Sequence, residues 1–203
     1  MSLALVTGAT TQPLTVLEAK RHLRLPASVN EDDALLISLI DAATSSAEDY
    51  TRRSFVTQTW KLFLDDWPKS VRDEWWNGVR EGPIGGVHTG ELRLPLGPLQ
   101  SVTHVKTYDD SDVATTFSAA SYYVDTAKER IVLRQGQAWP TWERVANGIE
   151  IQYVTGFGEM GTVPSSIRRA LREHVAYMYE HRGDDAMPMV SRALLRPFKE
   201  ARL

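Results

Sequence analysis

Two helical patterns open the chain, and each carries its own start signal. The first is predicted after Thr15, a good N-cap residue, because Glu18 follows at the spacing of a capping box. Leu14 stands directly before this cap, where an apolar residue can act as a hydrophobic staple. Pro26 is expected to end the helix, since the residue before a proline is pushed out of the α region. A second and longer helix is then expected. Asn30 is its predicted N-cap, and Arg52 and Arg53 are its last residues.

The second helix carries one apolar stripe along its length. Its members recur at spacings of four, three, four and three, and they are Leu36, Ile40, Ala43, Ala47 and Tyr50, with Leu35 and Leu39 widening the stripe. Such a helix cannot bury its stripe alone. Residues 164–182 offer the partner, because they predict another amphipathic helix that begins at Pro164, ends before Gly183 and turns one apolar face inward. That face holds Ile167, Ala170, Leu171, His174, Val175 and Met178. We therefore expect these two helices to pack together.

Between the helical ends the pattern changes to the period of β-strands. Residues 57–64 alternate at Trp60, Leu62 and Leu64, which predicts a strand. Residues 91–154 then predict a run of short strands, of which the clearest are residues 92–94, 102–107, 113–117, 122–124, 130–133 and 149–154. Asn147-Gly148 is a hairpin-type turn signal before the last of them. The spacing suits a small antiparallel sheet or sandwich.

A tryptophan-rich segment interrupts the strand pattern at residues 65–90. It places Trp67, Trp75 and Trp76 among many glycines and prolines, a composition that predicts a long loop or a loose hairpin. Two interpretations remain open. In the first, the tryptophans plug the edge of the sheet. In the second, Trp75 and Trp76 form a contact with another chain, since interface cores are rich in tryptophan.

The tail, residues 187–203, combines apolar and cationic side chains. Pro188 and Pro197 limit it to a short helix or an extended arm. Our hypothesis is a mobile docking arm for a partner, whose contact residues are Leu194, Leu195, Arg196, Pro197, Phe198 and Arg202. The alternative is that the tail folds back on its own domain.

Together these patterns predict an α+β fold. A helical bundle from the N- and C-terminal segments is expected to hold an inserted small antiparallel β domain and to end in a C-terminal arm. The expected parts are an N-terminal helical part at residues 1–56 and a β-rich insertion at residues 57–162. They are followed by a C-terminal helix at residues 163–186, packed on the N-terminal helices, and by the arm at residues 187–203.

Composition narrows the classes of function. The 203 residues are 42% hydrophobic and 24% charged, as in soluble globular proteins. The formal net charge of −3 argues against non-specific binding of nucleic acid, which needs a basic face. The chain has no cysteine, so disulfides, thiolate metal sites and a cysteine nucleophile are excluded. The first residues lack the pattern of a signal peptide and no stretch approaches the roughly 20 apolar residues of a membrane helix. A cytoplasmic protein without membrane contact is expected.

No pattern of catalytic or cofactor-binding residues stands out. His174 and His181 lie about 10 Å apart along one predicted helix, too far to share a metal, and His174 falls on the core-facing stripe. Residues 156–161, GFGEMG, fit the letters of a dinucleotide fingerprint but lack the second parallel strand that would support it. Asp109, Asp110 and Asp112 read as a turn, since the glycine and glutamate of a calcium loop are missing. We expect no enzyme activity, no cofactor and no metal site.

The order of the segments resembles that of the phage head–tail connector family, the adaptors of tailed phages, prophages and gene transfer agents. The matching pieces are LTVLEAKRHLRL, EDDALLISLIDAATSSAEDYTRRSF, LRLPLGPLQSVTHVKTYDD, YYVD, the Trp139-Pro140 pair, IEIQYVTGFG, VPSSIRRALREHVAYMYEHRG and LLRPFK. They cover nearly the whole chain. Each piece alone is unspecific, and their occurrence in this order carries the resemblance. The tryptophan-rich segment fits the resemblance least.

The resemblance implies a structural role in the neck of a phage-like particle. Such an adaptor forms a ring of about twelve copies, assembles in the bacterial cytoplasm, and docks on the portal protein through its C-terminal segment. It receives a stopper or tail-completion protein and lets DNA pass without specific binding. A slightly acidic chain suits that passage. Two alternatives of other classes stay open, namely another assembly or regulatory module, and a ligand-binding domain or enzyme with a cleft between sheet and helices.

Overall fold

The computed structural model describes residues 1–67 and 90–200, and it has a mixed α+β fold. The chain divides into two compact units. The helical unit comprises Leu5–Thr59, Pro95–Gln100 and Val154–Leu203, and the β unit comprises Met1–Ala4, Trp60–Leu94 and Ser101–Tyr153.

The described residues of the helical unit form four α-helices. Their bounds are α1 Val16–Leu23, α2 Asp33–Thr51, α3 Ser165–Glu180 and α4 Met189–Leu195, and a 3₁₀ turn at Arg196–Phe198 follows α4. The capping box predicted for α1 is confirmed. The Thr15 hydroxyl accepts a hydrogen bond from the Glu18 N–H, and the Glu18 carboxylate accepts one from the Thr15 N–H. None of the helices in the described part of the chain is long and apolar enough to span a membrane.

The apolar faces of α2 and α3 meet in one buried core. The stripe predicted for α2 is confirmed at Leu36, Ile40, Ala43 and Ala47, whereas Tyr50 is half-buried and Leu35 is exposed. The predicted inward face of α3 is buried at all of its positions, which are Ile167, Ala170, Leu171, His174, Val175 and Met178. Helices α1 and α4 also contribute, through Ala19 and Leu195. The core is thus built from segments at both ends of the sequence.

Two details of the predicted helix ends are wrong. Helix α1 ends at Leu23 rather than at Pro26, because Arg24 takes the left-handed conformation and its N–H bonds back to Lys20 and Arg21. Asn30 does not cap α2. Its side-chain oxygen accepts from the Lys20 ammonium at 3.2 Å, and α2 begins after Asp32 without a side-chain cap.

In residues 1–67 and 90–200, eight strands make two sheets. A five-stranded sheet has the order β1-β2-β8-β4-β5, in which β1 is Ser2–Thr7, β2 is Gln58–Leu64, β4 is Leu99–Tyr108, β5 is Ala114–Thr116 and β8 is Ile149–Thr155. A three-stranded antiparallel sheet has the order β3-β7-β6, with β3 Glu91–Arg93, β6 Tyr122–Asp125 and β7 Arg130–Leu133. The pairs Leu92↔Ile131 and Tyr122↔Leu133 fix its register.

Strand β1 is a described strand that the sequence pattern did not predict. Its residues SLALVT lack a regular alternation of apolar and polar positions, and all six are exposed in the structure. The remaining strands lie where the pattern predicted them, within two or three residues at their ends. The loop at residues 65–90 falls mostly outside the described residues.

Candidate docking site

The C-terminal segment is seated on the helical unit. Helix α4 begins after Pro188 and buries Ser191, whose hydroxyl donates to the Ala170 carbonyl of α3 at 2.9 Å. One turn later Leu195 enters the core with 1% of its surface exposed. Leu194 and Phe198 pack partly buried against the same core. This segment is therefore part of the helical unit in the single chain.

Contacts with the end of α2 hold the segment beyond α4. The Arg53 Nε donates to the Phe198 carbonyl at 2.8 Å, and the Glu200 N–H donates to the Thr51 carbonyl at 2.9 Å. The Lys199 ammonium lies 4.6 Å above the ring of Tyr50, a cation–π contact. The hydrogen bonds engage main-chain atoms, so they depend on the path of the segment more than on its side chains.

This arrangement differs from the mobile arm that the sequence suggested, and it matches the alternative of a tail folded on its own domain. Leu195 is already buried inside the unit, so it cannot serve as a free apolar anchor. Leu194 and Phe198 are half-buried, whereas Arg196 and Pro197 are exposed. Arg202 lies outside the described residues, as do Trp75 and Trp76.

The exposed surface of α4 has a different composition from the predicted contact. Met189, Arg192, Ala193 and Arg196 recur at the spacing of one helix face, and all are exposed. Met189 is 85% exposed, a large value for an apolar side chain. We call these four residues the α4 outer face. Their spacing was present in the sequence, but the tail had been interpreted as an arm without a fixed inward side.

Trp67, the described member of the tryptophan-rich segment, has its partners within the β unit. Its ring stacks on that of Trp139 with centroids 4.3 Å apart, and its indole N–H donates to the Pro140 carbonyl at 2.9 Å. The side chain is buried. The Trp139-Pro140 pair that carried part of the family resemblance thus holds a structural contact.

A groove of about 610 Å³ opens on the helical unit beside the start of α1. Apolar side chains from α1, α2 and the turn before α3 line it, among them Leu14, Val16, Ile37, Ile40 and Met160. Glu159 is the charged residue of the lining. With one carboxylate and mostly apolar walls, the groove offers a packing surface rather than a set of converging catalytic groups.

The β unit contains a cluster of polar groups around Glu150. This buried carboxylate accepts from the Lys61 ammonium at 2.9 Å, from the Tyr108 hydroxyl at 2.9 Å and lies 3.0 Å from His104 Nε2. Burial acts to raise the pKa of Glu150, but the bonds from His104, Lys61 and Tyr108 outweigh it and leave the pKa lowered. A carboxylate held ionised by three partners is a poor proton acceptor, so the cluster joins β2, β4 and β8 rather than offering a base.

The two histidines weighed as metal ligands do not come together. His174 is buried in the core, and its Nε2 lies 3.4 Å from the Asp185 carbonyl. Burial lowers the pKa of His174, which favours the neutral ring. His181 stacks on Tyr177 instead, with ring centroids 4.4 Å apart. Within residues 1–67 and 90–200, no group of three potential metal-ligating side chains is found.

Comparison with known proteins gives a consistent result. Residues 13–108 match the model of the phage gp6-like head–tail connector protein family. Among solved structures, a chain from the neck of an empty gene transfer agent (GTA) particle, computed with C6 symmetry, is similar to this protein. The two sequences are 27% identical, and the structures align with a TM-score of 0.77. The alignment covers 100% of this chain and 97% of that one.

Two further structures agree over the same extent. The virion of a native GTA particle and the neck of a native GTA particle computed with C12 symmetry are both 26% identical, with TM-scores of 0.74 and 0.72. Each alignment covers 100% of this chain and 97% of the other. The comparison with curated proteins gives no match. The resemblance to the head–tail connector family predicted from the sequence is thus confirmed.

Proposed function

From this connection to the head–tail connector family, we propose that the chain is a structural connector in the neck of a phage-like particle. The observation that carries the proposal is the alignment of the whole chain, at 27% identity, with a protein of a GTA neck. A match over both full lengths means that helical ends and β middle recur together, and the architecture is shared as a unit. The role is structural, and no step of it needs a catalytic group.

The proposal includes a ring of identical copies. The neck structures that resemble this chain carry C6 and C12 symmetry. About twelve copies around one axis would turn a weak contact per copy into a firm joint, because the contacts act together. Such a ring surrounds the path of the DNA, and the net charge of −3 gives the chain little general attraction for phosphates.

We assign portal docking to the exposed part of the C-terminal segment. Arg196 and Pro197, from the contact set predicted by sequence, lie on the surface beside Met189 and Arg192 of the α4 outer face. An exposed methionine with arginines around it suits an apolar pocket with an acidic rim on the portal. Residues 201–203, including Arg202, extend the same segment. The opposite side of the ring would receive the stopper or tail-completion protein.

The test is complementation of particles that lack this protein. We expect its loss to give filled heads without tails, and the wild-type chain to restore tails. Replacing Arg192→Glu and Arg196→Glu together should leave the fold unchanged, since both side chains are exposed, and should abolish tail attachment. Tail counts by electron microscopy and binding of the purified chain to portal rings would measure the effect.

A matched control is available on the same unit. Arg21 and Arg24 are exposed arginines on α1 and just after it, so Arg21→Glu with Arg24→Glu makes the same change of charge at another place. The control should support tail attachment. Equal loss in both variants would mean that charge alone matters and would remove the α4 outer face as the docking site. Tailed particles without the protein would contradict the connector role itself.

A further inference from the structure

Strand β1 is an apolar edge of the five-stranded sheet. Its six residues, Ser2–Thr7, carry no charge, and every one of them is exposed. Leu5 is 52% exposed, and Leu3 and Val6 are exposed as well. In the described part of the chain β1 pairs with β2 on one side, and its other side has no strand neighbour.

Native proteins normally protect such an edge. Charged side chains, above all lysine, prolines and short strand length keep an edge strand from pairing with another chain. Strand β1 has six residues with neither a lysine nor a proline. Among the described strands, none pairs with the outer row of N–H and C=O groups of β1, so this row can accept a further strand.

Within the described residues, the same sheet has a second open edge at β5. Ala114–Thr116 is paired with β4 and ends the strand order on the other side. Its three residues are exposed and uncharged, and the preceding Val113 is exposed too. The two β-branched threonines suit a cross-strand position opposite leucine or valine.

We propose that β1 of one copy pairs with β5 of the next copy, and that this contact joins neighbouring subunits. The occupant is a second copy of this chain because one molecule carries both edges, and neither requires another partner. The two edges differ, so their pairing is heterologous, and repeating it around an axis closes a ring. The inference rests on the proposed connector function, whose neck relatives have sixfold and twelvefold symmetry.

The short length of β5 sets the strength of the contact. Three residues provide few ladder hydrogen bonds, so one pairing between two free copies is weak. Closure of a ring on a portal adds the contacts together and stabilises all of them. The interface should therefore form on the assembled particle, or at high protein concentration, and dissociate in dilute solution.

Cysteine cross-linking tests the pairing without background, because the natural chain has no cysteine. Neighbouring strands of a sheet lie about 4.7–4.9 Å apart, within the about 4.4–6.8 Å between Cα atoms that a disulfide spans. Chains carrying Leu5→Cys alone and Thr115→Cys alone would be co-expressed in equal amounts, built into particles and oxidised. Scanning Leu3→Cys and Thr116→Cys in the same way covers the neighbouring registers.

The expected result is a cross-linked dimer in the mixture and none in particles built from either variant alone. With random mixing, about a quarter of the interfaces hold both cysteines, so a similar share should link. A chain with Leu5→Cys and Thr115→Cys together should link into a ladder of more than two copies. Arg169→Cys, at an exposed position on α3 of the helical unit, is the control that should not link.

Other outcomes separate this inference from the connector role. Particles that contain the protein in normal amount, but give no cross-link at any register, would overturn the pairing and leave the connector role intact. Dimers from Leu5→Cys alone would also overturn it, since they would show β1 against β1. If the protein is absent from particles, the connector role fails. The same cysteine pairs are then tested in concentrated purified protein. Cross-links there would support the contact between β1 and β5, and their absence would reject it.

A second variant checks the role of the edge without cysteines. Leu3→Lys with Leu5→Lys places charges on exposed positions of β1, so the fold should be kept while strand addition is blocked. We expect the circular dichroism spectrum to be unchanged and the number of copies retained per particle to fall to near zero. Normal copy number with this variant would contradict the proposal.

Discussion

Glu48 is a half-buried carboxylate of the helical unit. Its carboxylate accepts from the Phe55 N–H at 2.6 Å and from the Gln58 amide at 3.1 Å, just beyond the end of α2. Burial raises its pKa above the ordinary value of 4.5, and the bonds from Phe55 and Gln58 offset only part of that rise. Glu48 thus fixes the chain where it leaves α2 for β2, at an electrostatic cost.

This environment predicts how stability depends on pH. The folded state binds a proton to Glu48 more readily than the unfolded state, so its contribution to stability falls as pH rises from about 4.5 through the raised pKa. Glu48→Gln should remove that dependence and keep an acceptor for the Phe55 N–H. Glu48→Ala should cost about 1–3 kcal/mol, because the N–H is left unpaired. Urea unfolding of the three proteins between pH 4 and pH 8 measures both effects. Equal stability of the two variants would contradict this role.

Gly156 predicts a second effect at a single residue. Its φ is +112°, and an added Cβ would collide with the main chain of Val56 and lie 2.8 Å from Thr57 N. Gly156→Ala should therefore destabilise the protein by 1–3 kcal/mol or more, on the order of other strained backbone sites. Gly161→Ala is the control, since nothing lies within 4 Å of its added Cβ. Thermal unfolding compares the two, and similar melting temperatures would contradict the clash.

Some of these residues could be predicted from the sequence, and others could not. The Thr15–Glu18 box was predictable because all of its partners lie within one turn. Asn30 had the residue type of an equally good cap, but its side-chain oxygen accepts from the buried Lys20, which lies outside its own helix. The role of Glu48 was missed for the same reason. Patterns within one segment of the sequence do not show the hydrogen bonds that its side chains form with another segment.

At the scale of elements, periodicity predicted most of the fold. Helices α2 and α3 and seven of the eight strands that the structure describes were indicated by their apolar spacing. In the C-terminal segment, Pro188 and Pro197 were predicted to allow a short helix or an extended arm, and the structure has the short helix α4 between them. The inward side of this helix was not predicted. Strand β1 was missed because it has no inward face to produce a pattern.

The packing of α2 gives a test with adjacent residues. Leu36 is 0% exposed in the core, whereas Leu35, the preceding residue on the same helix, is 37% exposed. Leu36→Ala should cost about 2–5 kcal/mol, the usual range for a buried leucine. Leu35→Ala should cost far less, because little apolar burial is lost and the helix propensity of alanine is high. Chemical denaturation measures the difference, and equal losses would mean that α2 does not face the core as described.

At the scale of the whole molecule, the order of segments carried more information than any single site. No catalytic or metal-binding pattern in the sequence indicated a function. The order of the matching segments, with helices at both ends and strands between them, resembled the connector family. The surfaces that contact other chains could not be predicted, because the residues they bind lie in other molecules and are absent from this sequence. The exposed α4 outer face and the open edges of the sheet emerged only when burial was known.

The most direct test of the connector role is a cryo-electron microscopy reconstruction of the neck of particles that contain this chain. We expect a ring of copies of this fold next to the portal, with α4 and the following turn on the portal side and β1 beside β5 of the neighbouring copy. Absence of the fold from the neck, or its presence elsewhere in the particle, would contradict the connector role.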